Sequence, residues 1–194
     1  MPDSKIKVLL VENDLDFIYL TETLLTADPG IEYVGYATNN IDAFRLSTTL
    51  KPHVVLMDLN LTGRNLDGIE VSKKIRCSTD AKVLIITSFE DYDTVTMACA
   101  KSFASGYVFK SQFDILLQTI KHTAHGNTPQ EHLIHSLILN QLSDAEKAVL
   151  LKMNGEEISL NSSSKTISNQ KTNILKKLGL KNQKEIPHLF RLKG

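Results

Sequence analysis

Five apolar segments occur in the first 110 residues, and four of them lead into a side chain that could take part in phosphoryl chemistry. Glu12 and Asn13 follow the first segment, Asp58 the third and Lys110 the fifth, while Thr87 ends the fourth. A carboxylate can attack a phosphoryl group to give an acyl phosphate. Carboxylate and carbonyl oxygens suit Mg²⁺, and lysine and hydroxyl groups pair with phosphate oxygens. The set therefore indicates phosphoryl transfer to Asp58.

The elements that must position these residues can be read from the hydrophobic pattern. The five segments are rich in Val, Ile and Leu, which is typical of strands covered on both faces of a parallel sheet, and they are 6–11, 31–37, 53–57, 82–87 and 106–109. Apolar residues at helical spacing fill the intervals, so strand and helix alternate as in βαβ units. We predict an α/β fold, a flavodoxin-like doubly wound parallel sheet of five strands in the order 2-1-3-4-5.

That strand order makes neighbours of the four strand ends that carry chemistry. Ligands of open α/β sheets bind at the carboxyl ends of the strands. Taken singly, each of these residues is as well explained by a solvated surface, a helix cap or core packing. Taken together they predict one pocket with Asp58 at its centre.

The ordered motifs resemble the receiver domain of bacterial response regulators. Val-Glu-Asn-Asp follows the first strand, Asp58 the third, Thr87-Ser88 ends the fourth, and Gly-Tyr-Val-Phe-Lys closes the fifth at Lys110. The resemblance covers residues 5–125, and the set at these intervals is far more specific than any single motif.

The resemblance implies a role for each residue of the metal and phosphoacceptor site. Asp58 would be the phosphoacceptor, and Glu12 with Asn13 would hold Mg²⁺ beside it. The backbone carbonyl of Asn60 would supply a further metal ligand. A sensor histidine kinase, or a small phosphodonor, would provide the phosphoryl group.

The resemblance also implies a switch. Thr87 would be the switch hydroxyl, Tyr107 the switch aromatic, and Lys110 the lysine that pairs with the phosphoryl group. The charge added to Asp58 would pull Thr87 inward, Tyr107 would follow, and the domain would form a homodimer.

Three departures from the family pattern are expected to change properties of the site, such as its Mg²⁺ affinity, more than its chemistry. Asn13 stands where a second acidic residue is usual, which lowers the charge available to Mg²⁺ unless Asp14 substitutes. The interval from Asp58 to Gly68 is two residues longer than the common spacing. Ser111 follows Lys110 in place of proline, so no cis peptide is expected there.

The chain divides after the receiver-like region. Gly126-Asn127-Thr128-Pro129 breaks the alternating pattern. We predict a receiver domain over 1–125, a partly helical linker over 126–142 and a third region over 143–194. In that region Ser143 begins a capping box, a helix runs to about 154, another covers 164–178, and a third starts near 182.

Residues 143–192 resemble the LuxR-type helix-turn-helix domain, with the best match over 165–180. The interval between Gly155 and Thr166 is about five residues short of the family spacing, so the scaffold helix over 156–164 is expected to shrink to about one turn. The second helix would read promoter DNA, and its DNA-facing residues would be Lys165, Thr166, Ser168, Asn169, Thr172 and Lys176.

Charge supports this division. Residues 1–135 carry 12 Lys and Arg against 17 Asp and Glu, whereas residues 136–194 carry 10 against 5. A basic unit joined to an acidic one indicates nucleic-acid binding or a lysine-rich solvated surface. No apolar run has the roughly 20 residues of a membrane helix, so we expect a cytoplasmic protein without membrane contact.

Two other functions fit the same residues. The first is a receiver whose C-terminal region has lost DNA binding and acts through protein contacts. The second is a phosphatase, because the segment from Asp58 to Thr62 weakly resembles the nucleophile loop of haloacid-dehalogenase-type enzymes. Those enzymes place a second acid two residues after the nucleophile, where this chain has Asn60, so we expect no enzyme turnover.

Overall fold

A computed structural model describes residues 5–61, 66–126, 128–160 and 162–190. The chain forms two compact units, Met1–Ile134 and His135–Gly194, which meet within one helix. Thr62, part of the long interval after Asp58, Asn127 of the predicted linker, and residues 191–194 lie outside the described ranges. No helix within those ranges combines the length and the apolar character that crossing a bilayer requires.

The first unit is built on a five-stranded sheet in which every described pairing is parallel. Its strands are β1 (Ile6–Val11), β2 (Ile31–Ala37), β3 (Val54–Asp58), β4 (Lys82–Thr87) and β5 (Gly106–Phe109). Their order is β2-β1-β3-β4-β5, which confirms the predicted fold. The central strands are covered on both faces, which explains their unbroken runs of Val, Ile and Leu.

Five helices cover the two faces of the sheet. They are α1 (Leu15–Ala27), α2 (Asn40–Leu50), α3 (Gly68–Ser78), α4 (Tyr92–Ser102) and α5 (Leu116–His125). Because side chains alternate along a strand, β1 contributes to two separate cores. Val8 and Leu10 pack in the core that includes Leu116 of α5, while Leu9 packs in the core that includes Ile75 of α3.

The register of the strands brings their carboxyl ends level with one another. Met57 pairs with Val11, Asp58 with Ile86, and Thr87 with Phe109. A short 3-10 helix, Lys110–Ile115, follows β5 directly and leads into α5. The residues after β1, β3, β4 and β5 therefore share one edge of the sheet.

Glycine at position 68 allows α3 to begin close to β3. A Cβ at Gly68 would stand 2.2 Å from the Asp58 carbonyl oxygen, and the Gly68 N–H donates to the Leu59 carbonyl at 3.1 Å. A side chain there would overlap the backbone of the strand end. The start of α3 is thus held directly against the Asp58 segment.

Helix α6 (Pro129–Leu139) contains the boundary between the two units, and its first turn belongs to the first unit. The second unit continues with α7 (Asp144–Met153), α8 (Ser164–Leu178), a 3-10 turn at Gln183–Glu185 and α9 (Ile186–Phe190). Helices are the only regular secondary structure in its described part, as predicted. Its core contains Val149, Ile174 and Ile186, all nearly inaccessible to solvent.

The connection between α7 and α8 differs from the prediction. The scaffold helix was expected to keep about one turn, but residues 154–160 and 162–163 contain no helix. Gly155 ends the preceding helix with a φ of 101°, and Ser163 caps the following one by accepting the Thr166 N–H at 3.2 Å. Serine favours such caps over helix interiors, because its side chain bonds nearby backbone groups.

Candidate functional site

A cavity of about 390 Å³ opens at the carboxyl ends of the strands. Its lining comes from the segments after β1, β3, β4 and β5 and consists of Glu12, Asn13, Asp14, Asp58, Asn60, Thr87, Ser88, Phe89 and Lys110. The structure thus brings together six of the seven residues that were predicted to have phosphoryl, metal or switch roles. The seventh, Tyr107, lies on β5 outside this lining.

Glu12 is fully buried at the end of β1, and its carboxylate is held from two sides. One oxygen accepts the backbone N–H groups of Asn13 and Asp14, both at 3.0 Å. The other lies 2.5 Å from the Lys110 ammonium group. A buried carboxylate needs this kind of compensation, which here comes from two backbone N–H groups and one ammonium group.

Asp14 serves mainly to start α1. Its Oδ1 atom accepts the N–H groups of Asp16 at 2.9 Å and Phe17 at 3.2 Å, which is a helix N-cap. One of its oxygens is therefore committed to the helix, so Asp14 is a poor substitute for the acidic residue that Asn13 replaces.

Asp58 is only 5% exposed and shares Lys110 with Glu12. Its Oδ2 atom lies 3.6 Å from the Lys110 ammonium nitrogen. Burial, and then the charge of Glu12, raise the pKa of the Asp58 carboxyl, while Lys110 and the backbone N–H groups of Asn60 and Leu59 act to lower that pKa. The net direction is upward, so a further positive charge in the cavity would favour the ionised form of the Asp58 carboxyl.

The oxygen donors in the cavity fit a magnesium ion. Glu12 and Asp58 offer carboxylates, and Asn13 and Asn60 offer amide and carbonyl oxygens. The Asn60 side-chain oxygen is buried and has no hydrogen-bond partner among the described residues. Mg²⁺ prefers such oxygen ligands and keeps several waters, so few protein ligands are needed.

Thr87 and Tyr107 occupy different environments. Thr87 is fully buried, and its hydroxyl oxygen accepts the Phe89 N–H at 3.1 Å, which leaves the hydroxyl hydrogen able to donate. Tyr107 is half-buried, and its ring meets Phe109 edge-on at a centroid distance of 5.5 Å. Phe109 in turn meets Tyr92 of α4 at 5.7 Å.

Lys110 has an aromatic neighbour that was not predicted from the sequence. The ammonium nitrogen lies 4.6 Å from the centroid of the Phe17 ring, within the range of a cation–π contact. Phe17 also meets Phe113 edge-on at 5.6 Å. The sequence signal for this contact is the aromatic residue in the first turn of α1, the helix that follows the acidic end of β1.

The family model for the response regulator receiver domain matches residues 8–121. The chain belongs to this family. The receiver domain accordingly occupies most of the first unit, and the sequence resemblance to receiver domains is confirmed.

Two response regulators are among the curated relatives of this receiver protein. LiaR of Bacillus subtilis, a transcriptional regulatory protein, is 31% identical over 71% of this chain and 64% of its own length. GacA of Pseudomonas aeruginosa is 34% identical over 62% of this chain and 56% of its own length. The matches thus span between about half and two thirds of each relative.

Solved structures of receiver proteins share the fold. A LuxR-family two-component response regulator from Aurantimonas has a TM-score of 0.59 and 28% identity, covering 71% of this chain and 98% of its own. The response regulator RcsB of Salmonella typhimurium has a TM-score of 0.58 and 22% identity, covering 95% of this chain and 96% of its own. The likeness to RcsB shows the fold alone, and it extends into the C-terminal unit.

The residues predicted to face DNA all lie along α8. Ile174 and Leu178 of this helix are buried, whereas the six predicted residues are exposed, namely Lys165, Thr166, Ser168, Asn169, Thr172 and Lys176. Two of the hydroxyls already make local bonds, since Thr166 meets the Ser163 hydroxyl at 2.9 Å and Thr172 donates to the Ser168 carbonyl at 3.2 Å.

Proposed function

We propose that this protein is a transcriptional response regulator whose output is switched by phosphorylation of Asp58. The observation that carries the proposal is the shared cavity, in which a buried Asp58 lies beside the Glu12 carboxylate and the Lys110 ammonium group. A sensor histidine kinase, or a small phosphodonor, would supply the phosphoryl group. In this division of the chain, 1–125 would be the receiver, 126–142 the linker and 143–194 the output region.

In the proposed reaction, an Asp58 carboxylate oxygen attacks phosphorus while the bond from phosphorus to the donor's leaving atom breaks. The product is an acyl phosphate on Asp58. Mg²⁺, held by Glu12, Asn13, Asp58 and the carbonyl of Asn60, would neutralise charge on the phosphoryl oxygens. Lys110 would pair with one of those oxygens.

The switch would follow from the charge that the phosphoryl group adds, about −1.5 to −2 at neutral pH. Lys110 already lies between Glu12 and Asp58, so a short movement brings its ammonium to the new anion. The free hydroxyl hydrogen of Thr87 would donate to a second oxygen. Tyr107, on the neighbouring strand, would respond to that shift.

The proposed output is binding to promoter DNA as a homodimer. The second unit carries 10 basic against 5 acidic residues, and α8 exposes three lysines, Lys165, Lys176 and Lys177, together with hydroxyl and amide groups. Such groups reach phosphates and base edges in the major groove. The similarity to LiaR, a transcriptional regulatory protein, supports the same output.

Intact-mass measurement of the full chain tests the phosphorylation step. Incubation with Mg²⁺ and a small acyl-phosphate donor should add one phosphoryl group to the wild type and none to Asp58→Asn. Asp28→Asn is the matched control, because Asp28 is paired with Lys121 and lies outside the cavity lining, and it should be modified normally. A wild-type chain that gains no mass would defeat the proposal.

A second candidate function is regulation through protein contacts. It is favoured by the missing scaffold helix in the described part of the connection between α7 and α8, since that helix normally supports the recognition helix. Salt-dependent DNA binding separates the two candidates. For either one we expect no turnover of an aryl phosphate, because Asn60 replaces the acid that a phosphatase would need, and we expect residence in the cytoplasm.

A further inference from the structure

The outer edge of β5 is covered by a side chain of α6, the helix within the predicted linker, which is called the linker helix below. β5 pairs with β4 on one side, and it is the last strand of the sheet on the other. There the Gln130 side chain accepts the Tyr107 N–H at 3.1 Å and donates to the Tyr107 carbonyl at 3.3 Å. One carboxamide thus satisfies both outward backbone groups of Tyr107, as a neighbouring strand would.

Glycine at position 106 makes room for this contact. A Cβ at Gly106 would lie 2.5 Å from the Gln130 side-chain oxygen, which is closer than real contacts allow. Any other residue at this position would push the Gln130 side chain away from the strand. The contact therefore depends on a residue of each element, Gly106 of β5 and Gln130 of α6.

The next residue of α6 makes a second attachment to the same unit. Glu131 is 4% exposed and forms an ion pair with Lys82 of β4. Nearby lies Arg76, fully buried, which donates to the carbonyls of Phe103 at 2.9 Å and Ala81 at 3.0 Å. The Glu131 charge opposes the lowering of the Arg76 pKa by burial. A buried carboxylate between two cations is costly to withdraw.

We propose that Gln130 and Glu131 form a linker latch, a pair of positioning residues that couples the switch strand to the start of α6. This inference rests on the proposed function, because Tyr107 is the aromatic residue expected to respond to phosphorylation. Gln130 bonds the main chain of Tyr107 itself, so a shift of that strand strains or breaks the latch. The linker helix, which continues into the second unit, would thereby sense the state of Asp58.

Coupling of this kind is reciprocal. If engagement of a phosphoryl group at Asp58 opposes the latch, then breaking the latch must strengthen that engagement by the same factor. In the described arrangement Lys110 is closer to Glu12 than to Asp58, and the Thr87 oxygen accepts the Phe89 N–H. The latch is present in this arrangement, and it would stabilise the arrangement against one in which Lys110 and Thr87 engage a phosphoryl group on Asp58.

The test uses the full chain with Mg²⁺ and beryllofluoride, a phosphoryl mimic. We expect Gln130→Met, which keeps the length of the side chain but loses both hydrogen bonds, to bind the mimic about fivefold more tightly or better. Glu131→Gln, which removes the charge, should act in the same direction. Asp28→Asn, which breaks the ion pair with Lys121 and touches neither the cavity lining nor the latch residues, should leave the affinity unchanged.

Hydrogen exchange at the Tyr107 amide supplies a readout that does not depend on the mimic. The wild type should protect this amide, and Gln130→Met should accelerate its exchange while leaving the β3 amides protected. Unchanged Tyr107 exchange would disprove the latch. Faster exchange together with unchanged or weaker affinity for the mimic would disprove the coupling. A wild type that fails to bind the mimic would instead count against the proposed function. In that case the latch would be judged from the exchange of the Tyr107 amide alone.

Discussion

At the scale of single residues, Lys110 organises the cavity. Its ammonium group is 2.5 Å from Glu12 and 3.6 Å from Asp58, and it lies over the Phe17 ring. The ring contributes its negative face, while the two carboxylates compete for one cation. Two buried acids with one lysine leave the cavity short of positive charge, which favours the binding of a divalent cation.

That imbalance predicts that Asp58→Asn stabilises the fold in the absence of divalent cations. Burial and the charge of Glu12 raise the pKa of the Asp58 carboxyl, so its ionised form is disfavoured in the folded state at neutral pH. We expect the free energy of unfolding at pH 7 to rise by about 1 kcal/mol, within the ordinary range for single substitutions. Urea unfolding with a chelator present measures it.

The control for this prediction has the opposite sign. The side-chain hydrogen bond from Lys121 lowers the pKa of the Asp28 carboxyl, so its ionised form is favoured in the folded state. Asp28→Asn should therefore reduce stability at pH 7. If Asp58→Asn were also less stable than the wild type, the view of Asp58 as an electrostatically unfavourable buried acid would be wrong.

The side chains at the strand ends could be assigned to one site from the sequence. Contacts made by side chains that reach in from neighbouring helices could not be predicted. Asp58 and Lys110 could be placed because a strand end fixes which edge of the sheet a residue joins. Phe17 and Gln130 could not, because their roles depend on where a side chain reaches across helices. Gln130 reads as an ordinary polar residue of a linker, although it bonds Tyr107, 23 positions away.

At the scale of elements, the sequence predicted helices and strands where local signals agree. The box at Ser143 and the stop at Gly179 mark ends that the structure reproduces in α7 and α8. The connection between these helices was predicted by analogy with a family spacing, and its described part contains no helix. Local chemistry prevailed there, because Gly155 and Ser163 end and begin helices on either side.

The α7 capping box predicts a pH dependence of the second unit. The hydrogen bond from Lys177 and the Ser143 N–H lower the pKa of the Glu146 carboxyl below its ordinary value of 4.5. Stability from this group is therefore present above pH 4.5 and is lost as pH falls through the lowered pKa. The urea midpoint of α7, followed residue by residue by NMR in the full chain, should fall in that acidic range.

Two variants separate the charge of Glu146 from its capping role. Glu146→Gln retains a capping acceptor but loses the ion pair, so stability at pH 7 should drop by about 0.5 kcal/mol and the acidic dependence should flatten. Ser143→Ala should cost about 1 kcal/mol and keep the pH dependence that comes from Lys177. An acidic dependence that persists in Glu146→Gln would assign it to another group.

At the scale of the whole molecule, charge is divided between the two units. The first unit has 12 basic against 17 acidic residues, and the second has 10 against 5. Net neutrality thus conceals an acidic first unit and a basic second unit. An acidic receiver repels DNA while a basic tail attracts it, so the affinity of the full chain for a duplex should be weak and strongly dependent on salt.

Salt dependence provides the decisive measurement for the output. Binding of the full chain to a fluorescent duplex should weaken linearly on a log–log plot against salt, because contacts to phosphates release counterions. Lys165→Ala and Lys176→Ala remove exposed lysines of α8, and each should reduce the slope by about 1. Lys51→Ala, an exposed lysine of the first unit, should leave the slope unchanged. If no variant alters the slope, or if the wild type does not bind at low salt, α8 does not contact DNA and the second unit acts through protein partners.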